Sequence, residues 1–238
     1  MSAAIAVFAK APVPGRVKTR LVPPLTPEEA AAVARACLET TLRRFAPAVD
    51  APITLFLDGE ADSALQALAQ SLGVPIVPQA GADLGARLVE AFRSLRGGGA
   101  TITVALGSDG PTIDPAWIAR AIASLDTHDV VIGPTEDGGY YLIGVRGNIP
   151  ELFSKIPWST DSVARATLER ASALGIAVDV LPTWYDVDDI ATLRRAIADG
   201  AGYLPEPIHR LVAARTTPVL TGGSKLPFTG PTPPSPGR

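Results

Sequence analysis

The sequence has few of the residues that form disulfides or catalyse reactions through imidazole or thiol groups. Its 238 residues contain one cysteine, Cys37, and two histidines, His128 and His209. A single cysteine excludes an internal disulfide and is typical of proteins of the reducing cytoplasm. Neither histidine accompanies a nucleophile motif, which disfavours a serine-histidine-aspartate triad. We therefore expect a cytoplasmic protein whose chemistry, if it has any, depends on other groups.

Long apolar runs and a strong net charge are also lacking. No apolar stretch approaches the ~20 residues that span a bilayer, and residues 1–10 lack the features of a signal peptide. The formal net charge of -3 disfavours nucleic-acid binding, whose affinity comes largely from neutralised phosphates. The sequence therefore predicts neither a membrane nor a nucleic-acid partner, although one nucleotide could bind in a local basic pocket.

Short apolar runs rich in strand-forming residues alternate with helix-like segments. The predicted strands are residues 4–8, 53–57, 74–77, 102–106, 130–133, 141–145 and 176–181. The predicted helices are residues 27–45, 63–72, 84–95, 115–125, 162–174 and 189–198. Thr26 as the N-cap and Glu29 at N3 predict a capping box at the start of the first helix, with Pro27 at N1. This alternation predicts an α/β domain, with a mainly parallel sheet that carries helices on both faces.

The composition changes near residue 201. The last 18 residues contain four glycines and five prolines, and they could not bury enough surface to offset their ordering entropy. We therefore predict one domain over residues 1–200 and a largely disordered, Pro/Gly-rich extension over residues 201–238.

A basic loop follows the first predicted strand. Four cations fall within eleven residues: Lys10, Arg16, Lys18 and Arg20. Gly15 lets the backbone approach a ligand, and arginine and lysine suit the phosphates of a nucleotide. The alternative is a solvated basic loop. The loop contains no Walker motif and no Gly-x-Gly-x-x-Gly pattern, which disfavours a P-loop enzyme or a dinucleotide oxidoreductase.

Acidic residues follow one strand and precede the last predicted helix. Asp109 lies just beyond the strand at 102–106, where its carboxylate could bind Mg²⁺ or Mn²⁺. Asp186 and Asp188 would share one face of an extended segment and could complete that metal site. The alternatives are a turn at Asp109 and a helix cap at Asp188 or Asp189.

Three further segments are candidate ligand contacts. Residues of a turn between two strands are predicted to contact an acceptor or sugar: Glu136, Asp137, Gly138, Gly139 and Tyr140. A plain hairpin turn is the alternative. Ser159, Thr160 and Asp161 are predicted to join them, or else only to begin a helix. The amides of a third helix start could meet the nucleotide, with Asp83, Gly85 and Arg87 as candidates, unless Asp83 is merely its N-cap.

Together these motifs resemble the radical-SAM/selenodomain-associated transferase family, which is glycosyltransferase-like and belongs to the nucleotide-diphospho-sugar transferase superfamily. The resemblance covers about residues 3–200, with the motifs in the same order. The Lys-Thr-Arg loop and the Asp-x-Asp pair also resemble phospholactate and molybdenum-cofactor guanylyltransferases. Two departures are Gly110, where the family commonly has cysteine, and the residues that follow Asp188.

The resemblance implies a GT-A-type, Rossmann-like fold and assigns roles to the two charged clusters. Lys10, Arg16, Lys18 and Arg20 would contact phosphates. Asp109, with Asp186 or Asp188, would bind the metal. Lys18, Arg20 and Asp109 are accordingly the predicted catalytic residues.

The interpretation that we favour is a Mg²⁺-dependent transferase that joins a nucleoside triphosphate to a small phosphorylated acceptor and releases pyrophosphate. A glycosyltransferase that uses a nucleotide-diphosphate sugar is the first alternative. A non-catalytic nucleotide-binding protein is the second.

Overall fold

A seven-stranded sheet forms the centre of the molecule. The computed structural model describes residues 2–200 and 202–216. The strands are β1 (Ala3–Lys10), β2 (Ile53–Asp58), β3 (Ile76–Pro78), β4 (Ile102–Gly107), β5 (Val130–Pro134), β6 (Tyr140–Arg146) and β7 (Val178–Val180). Their spatial order is β3-β2-β1-β4-β6-β5-β7. β6 runs antiparallel to β4 and β5, whereas the other neighbouring strands pair in parallel.

Helices cover the sheet and connect its strands. They are α1 (Pro27–Phe45), α2 (Ser63–Ser71), α3 (Leu84–Gly97), α4 (Pro115–Ser124), α5 (Val163–Ala173), α6 (Ile190–Asp199) and α7 (Glu206–Thr216). Short 3-10 helices occupy Thr19–Leu21 and Pro150–Phe153. Each of the predicted strands and helices has its counterpart here, which confirms the α/β, mainly parallel prediction. Within residues 2–200 and 202–216, no helix is long and apolar enough to cross a bilayer.

The two faces of the sheet pack against different helices. On β1, Ile5 and Val7 join a cluster that includes Leu42 of α1. Ala6 points the other way, into a cluster that includes Phe92 of α3. Because successive side chains of a strand alternate between faces, both faces are covered and the strands are apolar throughout.

The first helix begins as the sequence predicts. The Thr26 hydroxyl accepts from the Glu29 amide at 3.2 Å, and the Thr26 amide donates to the Glu29 carboxylate at 2.8 Å. This reciprocal cap fixes where the long loop after β1 ends and α1 starts.

The last described helix extends the packed region past residue 200. Leu204, Ile208 and Val212 are buried in a cluster with Val33 and Cys37 of α1. The predicted extension therefore contains a packed helix, because apolar residues recur every four positions at Leu204, Ile208 and Val212. The predicted disorder of residues 217–238 concerns positions outside the described residues.

Candidate active site

The candidate site lies at the carboxyl edge of the parallel strands. Lys10 and Asp58, the last residues of β1 and β2, are register partners, and Phe8 pairs with Gly107 at the end of β4. The basic loop and the loop that carries Asp109 therefore leave the sheet at the same edge, which is where open α/β sheets bind ligands.

Lys18 is the buried cation of this edge. Its backbone is left-handed, with φ of 48°, and it immediately precedes the 3-10 helix. Its side chain is only 4% exposed, and its Nζ lies 2.5 Å from Asp109 Oδ1 and 3.1 Å from Asp188 Oδ1. Burial alone would lower the pKa of Lys18, but nearby charges, foremost Asp109, outweigh it and raise that pKa. Lys18 is therefore charged and joins the two acidic segments.

Asp109 and Asp188 lie together, and Asp186 is near enough for the Asp109 charge to raise its pKa. Since one nitrogen contacts both Asp109 and Asp188, their carboxylates lie well within the roughly 10 Å that one ion and a bridging oxygen could span. The Val187 amide also donates to the Asp109 carbonyl at 2.9 Å. Asp189 caps α6 by accepting from the Thr192 amide at 2.8 Å. Asp189 is therefore the N-cap of α6, and Asp186 and Asp188 are left free to act with Asp109.

Asp186 is the carboxylate without a direct counter-charge. Its side chain makes no ion pair within the part of the chain that the structure describes. Burial, and then the neighbouring Asp109 charge, raise the pKa of Asp186 to about 7. One ammonium thus faces three carboxylates, and the surplus negative charge would favour a bound cation.

The donor set fits a hard divalent cation. Carboxylate oxygens are the ligands that Mg²⁺ and Mn²⁺ take, and Lys18 brings two carboxylates together here, those of Asp109 and Asp188. Among residues 2–200 and 202–216, no group of three or more histidine, cysteine, aspartate or glutamate side chains is arranged as a ready metal site. The metal site at Asp109, Asp186 and Asp188 therefore stays a prediction.

The other cations of the basic loop face solvent. Arg20 is 74% exposed and reaches Asp188 only at 3.7 Å. Lys10 and Arg16 line an open cleft of about 570 Å³. Gly15 makes the turn between them with φ of +75°. Three predicted phosphate contacts are therefore accessible to a ligand, whereas Lys18 is committed to the carboxylates.

The start of α3 adjoins this cleft through Arg87. Arg87 Nη1 donates to Asp58 Oδ2 at 3.1 Å and to Gln79 Oε1 at 3.0 Å. Asp83 accepts from the Ala86 amide at 2.8 Å and is the N-cap. A Cβ on Gly85 would lie 2.7 Å from the Trp158 indole, so this glycine permits close packing. Arg87 thus adjoins the cleft, while Asp83 and Gly85 have roles within the fold.

The turn between β5 and β6 and the segment before α5 lie against each other. Gly138 has φ of +88°, and a Cβ there would lie 1.8 Å from the Asp161 carbonyl oxygen. The Ala164 amide donates to the Gly138 carbonyl at 2.9 Å. Asp137 Oδ1 accepts from the Gly139 amide at 3.1 Å and so closes the turn. The fold thus brings the two predicted acceptor segments together.

Some side chains of these segments serve the fold. Tyr140 packs edge-on against Trp158 with ring centroids 6.5 Å apart, and burial raises the pKa of its hydroxyl. The Thr160 hydroxyl donates to the Pro157 carbonyl at 2.8 Å. Ser159 is left-handed, with φ of 64°. Tyr140 is therefore a packing residue, whereas Ser159, Thr160 and Asp161 are exposed.

The acceptor turn also contacts the acidic segment. The Glu136 amide donates to the Trp184 carbonyl at 2.9 Å. The Glu136 carboxylate accepts from Arg195 of α6 at 2.9 Å through both oxygens. The Asp137 charge is close enough to contribute to the raised pKa of Asp186. The turn and the carboxylate cluster therefore lie next to each other.

Comparison with known proteins assigns the chain to a family. Residues 41–160 match the family model of an uncharacterized protein conserved in bacteria, DUF2064. The chain belongs to the DUF2064 family. A phosphoenolpyruvate guanylyltransferase of Chloroflexus aggregans (strain MD-66 / DSM 9485) is 31% identical over 144 residues, which cover 58% of this chain and 68% of the relative.

Solved structures confirm the fold of this DUF2064 chain. A Desulfovibrio desulfuricans G20 protein, provisionally named a nucleotide-diphospho-sugar transferase, is 29% identical with a TM-score of 0.80 and covers 90% of this chain and 97% of its own. CMP:2-keto-3-deoxy-manno-octonic acid synthetase complexed with CTP has a TM-score of 0.55 at 17% identity, covering 86% and 100%. A manganese complex of a Mycobacterium tuberculosis H37Rv protein has a TM-score of 0.51 at 19% identity, covering 83% and 100%.

These relatives confirm two of the predictions made from the sequence. The chain has the GT-A-like fold of the nucleotide-diphospho-sugar transferase superfamily, and it is a transferase of nucleotidyl or glycosyl groups.

Three residues of the candidate site were missed by sequence reasoning. Asp58 ends β2 and Gln79 follows β3, so their positions at strand ends were the available signal. Arg195 lies on a helix that begins after the acidic segment, and no local pattern indicates its contact with Glu136. Each of the three holds another candidate residue in place through a side-chain hydrogen bond.

Proposed function

We propose that this chain is a Mg²⁺-dependent nucleotidyltransferase that joins a nucleoside triphosphate to a small phosphorylated acceptor and releases pyrophosphate. The observation that carries the proposal is the cluster of Lys18, Asp109 and Asp188 beside exposed cations at the carboxyl edge of the sheet. The name of the Chloroflexus relative makes GTP and phosphoenolpyruvate the first substrates to test. A single buried cysteine fits a cytoplasmic setting.

The proposed reaction is a direct displacement. A phosphate oxygen of the acceptor forms a bond to the α-phosphorus, the bond from that phosphorus to the oxygen bridging to the β-phosphate breaks, and pyrophosphate leaves with the electron pair. No thiol nucleophile is required, and Cys37 is unsuited to such a role because burial raises its pKa to about 12. Positioning and charge neutralisation would supply the rate enhancement.

Each charged group has a distinct role in this proposal. Arg20, Arg16 and Lys10 bind the phosphates, because they are exposed on the basic loop. Asp109 and Asp188, positioned by Lys18, and Asp186 would hold Mg²⁺, which supplies charge neutralisation at the phosphates. The turn at residues 137–139 and the segment at residues 159–161 bind the acceptor beside these carboxylates.

Transfer of a sugar from a nucleotide-diphosphate sugar is the second candidate. The provisional name of the Desulfovibrio protein favours it. Because both reactions place a diphosphate at the same cations, the leaving group distinguishes them.

The test is to incubate the purified chain with Mg²⁺, each of the four common nucleoside triphosphates and phosphoenolpyruvate. We expect equimolar pyrophosphate and a new diphosphate linkage seen by ³¹P NMR, with both lost in Asp109→Asn. Free nucleoside diphosphate from a panel of nucleotide sugars, without pyrophosphate from any triphosphate, would favour the glycosyltransferase instead.

A further inference from the structure

Arg195 of α6 contacts the acceptor turn and the acidic segment at once. Its Nη1 donates to both carboxylate oxygens of Glu136 at 2.9 Å. Its guanidinium also lies over the ring of Tyr185, 3.9 Å from the ring centroid, which is well within the distance of a cation–π contact. Glu136 belongs to the turn between β5 and β6, and Tyr185 immediately precedes Asp186. One side chain therefore joins the predicted acceptor site to the segment that carries two of the site's carboxylates.

Tyr185 extends this connection to the loop that carries Asp109. The Tyr185 side chain is buried, and its hydroxyl accepts from the Thr112 hydroxyl at 3.3 Å and donates to Asp199 Oδ2 at 2.9 Å. Thr112 lies on the same loop as Asp109. Asp199 Oδ2 also lies 3.4 Å from Arg195 Nε, so one carboxylate contacts both members of the pair. Two side chains thus link all three segments of the candidate site.

The contacts of Arg195 are suited to orientation more than to stability. Its side chain is 42% exposed and that of Glu136 is 53% exposed, and exposed ion pairs contribute little to the free energy of unfolding. A planar guanidinium that stacks on a ring and donates to a carboxylate nevertheless holds both partners in one orientation. The backbone already joins Glu136 to Trp184. Arg195 adds a second point of contact, which restricts rotation of the turn about the first.

We infer that Arg195 and Tyr185 are positioning residues that fix the acceptor turn relative to the carboxylate cluster. The inference rests on the proposed nucleotidyl transfer, in which the acceptor oxygen must reach an α-phosphorus held beside that cluster. Positioning of the two reactants is a main source of rate enhancement in such a reaction. Loss of the guanidinium should therefore misplace the acceptor and leave the nucleotide site unchanged.

The first experiment compares Arg195→Met with Arg210→Met, which removes an exposed arginine 3.6 Å from Glu206 on α7. Pyrophosphate release gives the KM for phosphoenolpyruvate, and calorimetry gives the Kd for the triphosphate. Arg195→Met should raise that KM at least about tenfold and change the Kd less than about twofold, and the control should change neither. Both constants are independent of the fraction of folded protein, so lower stability alone would not separate them. Equal changes in KM and Kd would overturn the inference.

A double-mutant cycle tests the contact itself. Glu136→Ala should raise the KM as Arg195→Met does, and the double variant should raise it no further, because each change breaks the same contact. Additive increases would assign Glu136 to the acceptor directly and overturn the inference. Arg195→Lys keeps the charge but lacks the planar group that stacks on Tyr185, so it should restore the KM only in part. Full recovery would assign the effect to charge alone and overturn the role of Tyr185.

Amide hydrogen exchange tests the pair without any reaction. The amides of Glu136 and Val187 donate to carbonyls of neighbouring loops. Measured by NMR, their exchange should be at least about threefold faster in Arg195→Met and unaltered in Arg210→Met. Unaltered exchange in Arg195→Met would overturn the inference. Faster exchange in a chain that releases no pyrophosphate from any triphosphate would support the pair and contradict the proposed nucleotidyl transfer alone.

Discussion

Lys18 and Arg20 lie two residues apart, yet the fold gives their charges opposite environments. The left-handed backbone of Lys18 turns its side chain inward to the carboxylates, whereas Arg20, within the 3-10 helix, points to solvent. A buried ammonium between carboxylates positions those carboxylates, while an exposed guanidinium can bind a phosphate. Replacing Lys18 should therefore lower stability, whereas replacing Arg20 should weaken nucleotide binding.

Lys18→Met should destabilise the metal-free protein by about 1–3 kcal/mol, because it leaves carboxylates crowded without their buried counter-charge. The lower part of that range reflects the partial exposure of Asp109 and Asp188. Urea unfolding in EDTA measures the change. Added Mg²⁺ should recover part of the loss, because a bound cation replaces the missing positive charge.

Arg20→Ala is the control for Lys18→Met, because it removes a cation of the same loop that is not part of the buried ion pair. It should leave the unfolding free energy within about 0.5 kcal/mol, yet weaken nucleotide affinity by about 2 kcal/mol through the lost charge-assisted contact. Calorimetry with a triphosphate measures the second effect. Unaltered affinity would remove Arg20 from the phosphate site.

Asp186 should make the metal-free protein less stable as the pH rises. Its folded pKa, about 7, lies above the ordinary aspartate value of 3.8, so the folded state binds the proton more tightly than the unfolded state. Stability is lost between those two values as the pH increases. Asp186→Asn should therefore gain stability at pH 8, by about 1–3 kcal/mol, and little at pH 4. Urea unfolding at both pH values in EDTA measures this gain.

Asp189→Ala should change the stability with the opposite pH dependence, although Asp189 lies on the same segment as Asp186. Hydrogen bonds from the Thr192 amide lower the pKa of Asp189, so its stabilising effect is present above the unfolded pKa and is lost as the pH falls through the folded one. Removal of this cap should cost about 1 kcal/mol at pH 8. A gain in the Asp186 variant that did not depend on pH would contradict the electrostatic explanation.

At the scale of elements, the turn between β5 and β6 is held by its contact with the segment before α5. Gly138 combines a left-handed backbone with an approach to the Asp161 carbonyl that no side chain could share. The flanking Asp137 closes the turn through the Gly139 amide. The position of the predicted acceptor site therefore depends on two elements at once.

Gly138→Ala should displace both segments and cost at least about 2 kcal/mol in stability, because steric overlap adds to left-handed strain. It should raise the KM for the acceptor while nucleotide affinity changes little. Steady-state kinetics and calorimetry separate the two effects.

Gly147→Ala is the control for the backbone strain alone. Gly147 has φ of +73° with open space around its Cα, so alanine there should cost only about 1 kcal/mol and leave acceptor binding unchanged. Equal effects of the two variants on stability and on the acceptor KM would show that the contact with Asp161 carries no weight.

At the scale of the whole molecule, α7 completes the core next to the basic loop. Ile208 is buried with Cys37 of α1 and with Leu21, which lies just after Arg20. The C-terminal helix therefore supports the far side of the segment that carries Lys18.

Ile208→Ala should destabilise the protein by about 2–4 kcal/mol, in line with large-to-small changes in a core. Removal of residues 217–238, whose composition predicts no packed structure, should leave the melting temperature and the activity unchanged. Thermal unfolding of both variants compares them directly. A large loss on removing residues 217–238 would show that this segment docks on the domain.

The sequence by itself determined the strands and helices, and it determined the edge of the sheet that carries the charged candidate residues. Apolar runs and helix starts such as Thr26 are local signals, and a parallel sheet brings the ends of its strands to one edge. Asp109, Asp186 and Asp188 could therefore be grouped from the chain alone. The helix at Glu206–Thr216 was obscured because prolines dominate the composition around its apolar repeat.

Only the tertiary structure decided which partner each charge has. In the sequence, Lys18 and Arg20 are two similar cations of one basic loop. The left-handed backbone of Lys18 turns its side chain into a buried ion pair, whereas the Arg20 side chain stays exposed. The contact of Gly138 with Asp161, and that of Asp58 with Arg87, join segments that are distant along the chain. Such pairings depend on how loops pack beyond the sheet edge, and the period of a strand or helix carries no information about them.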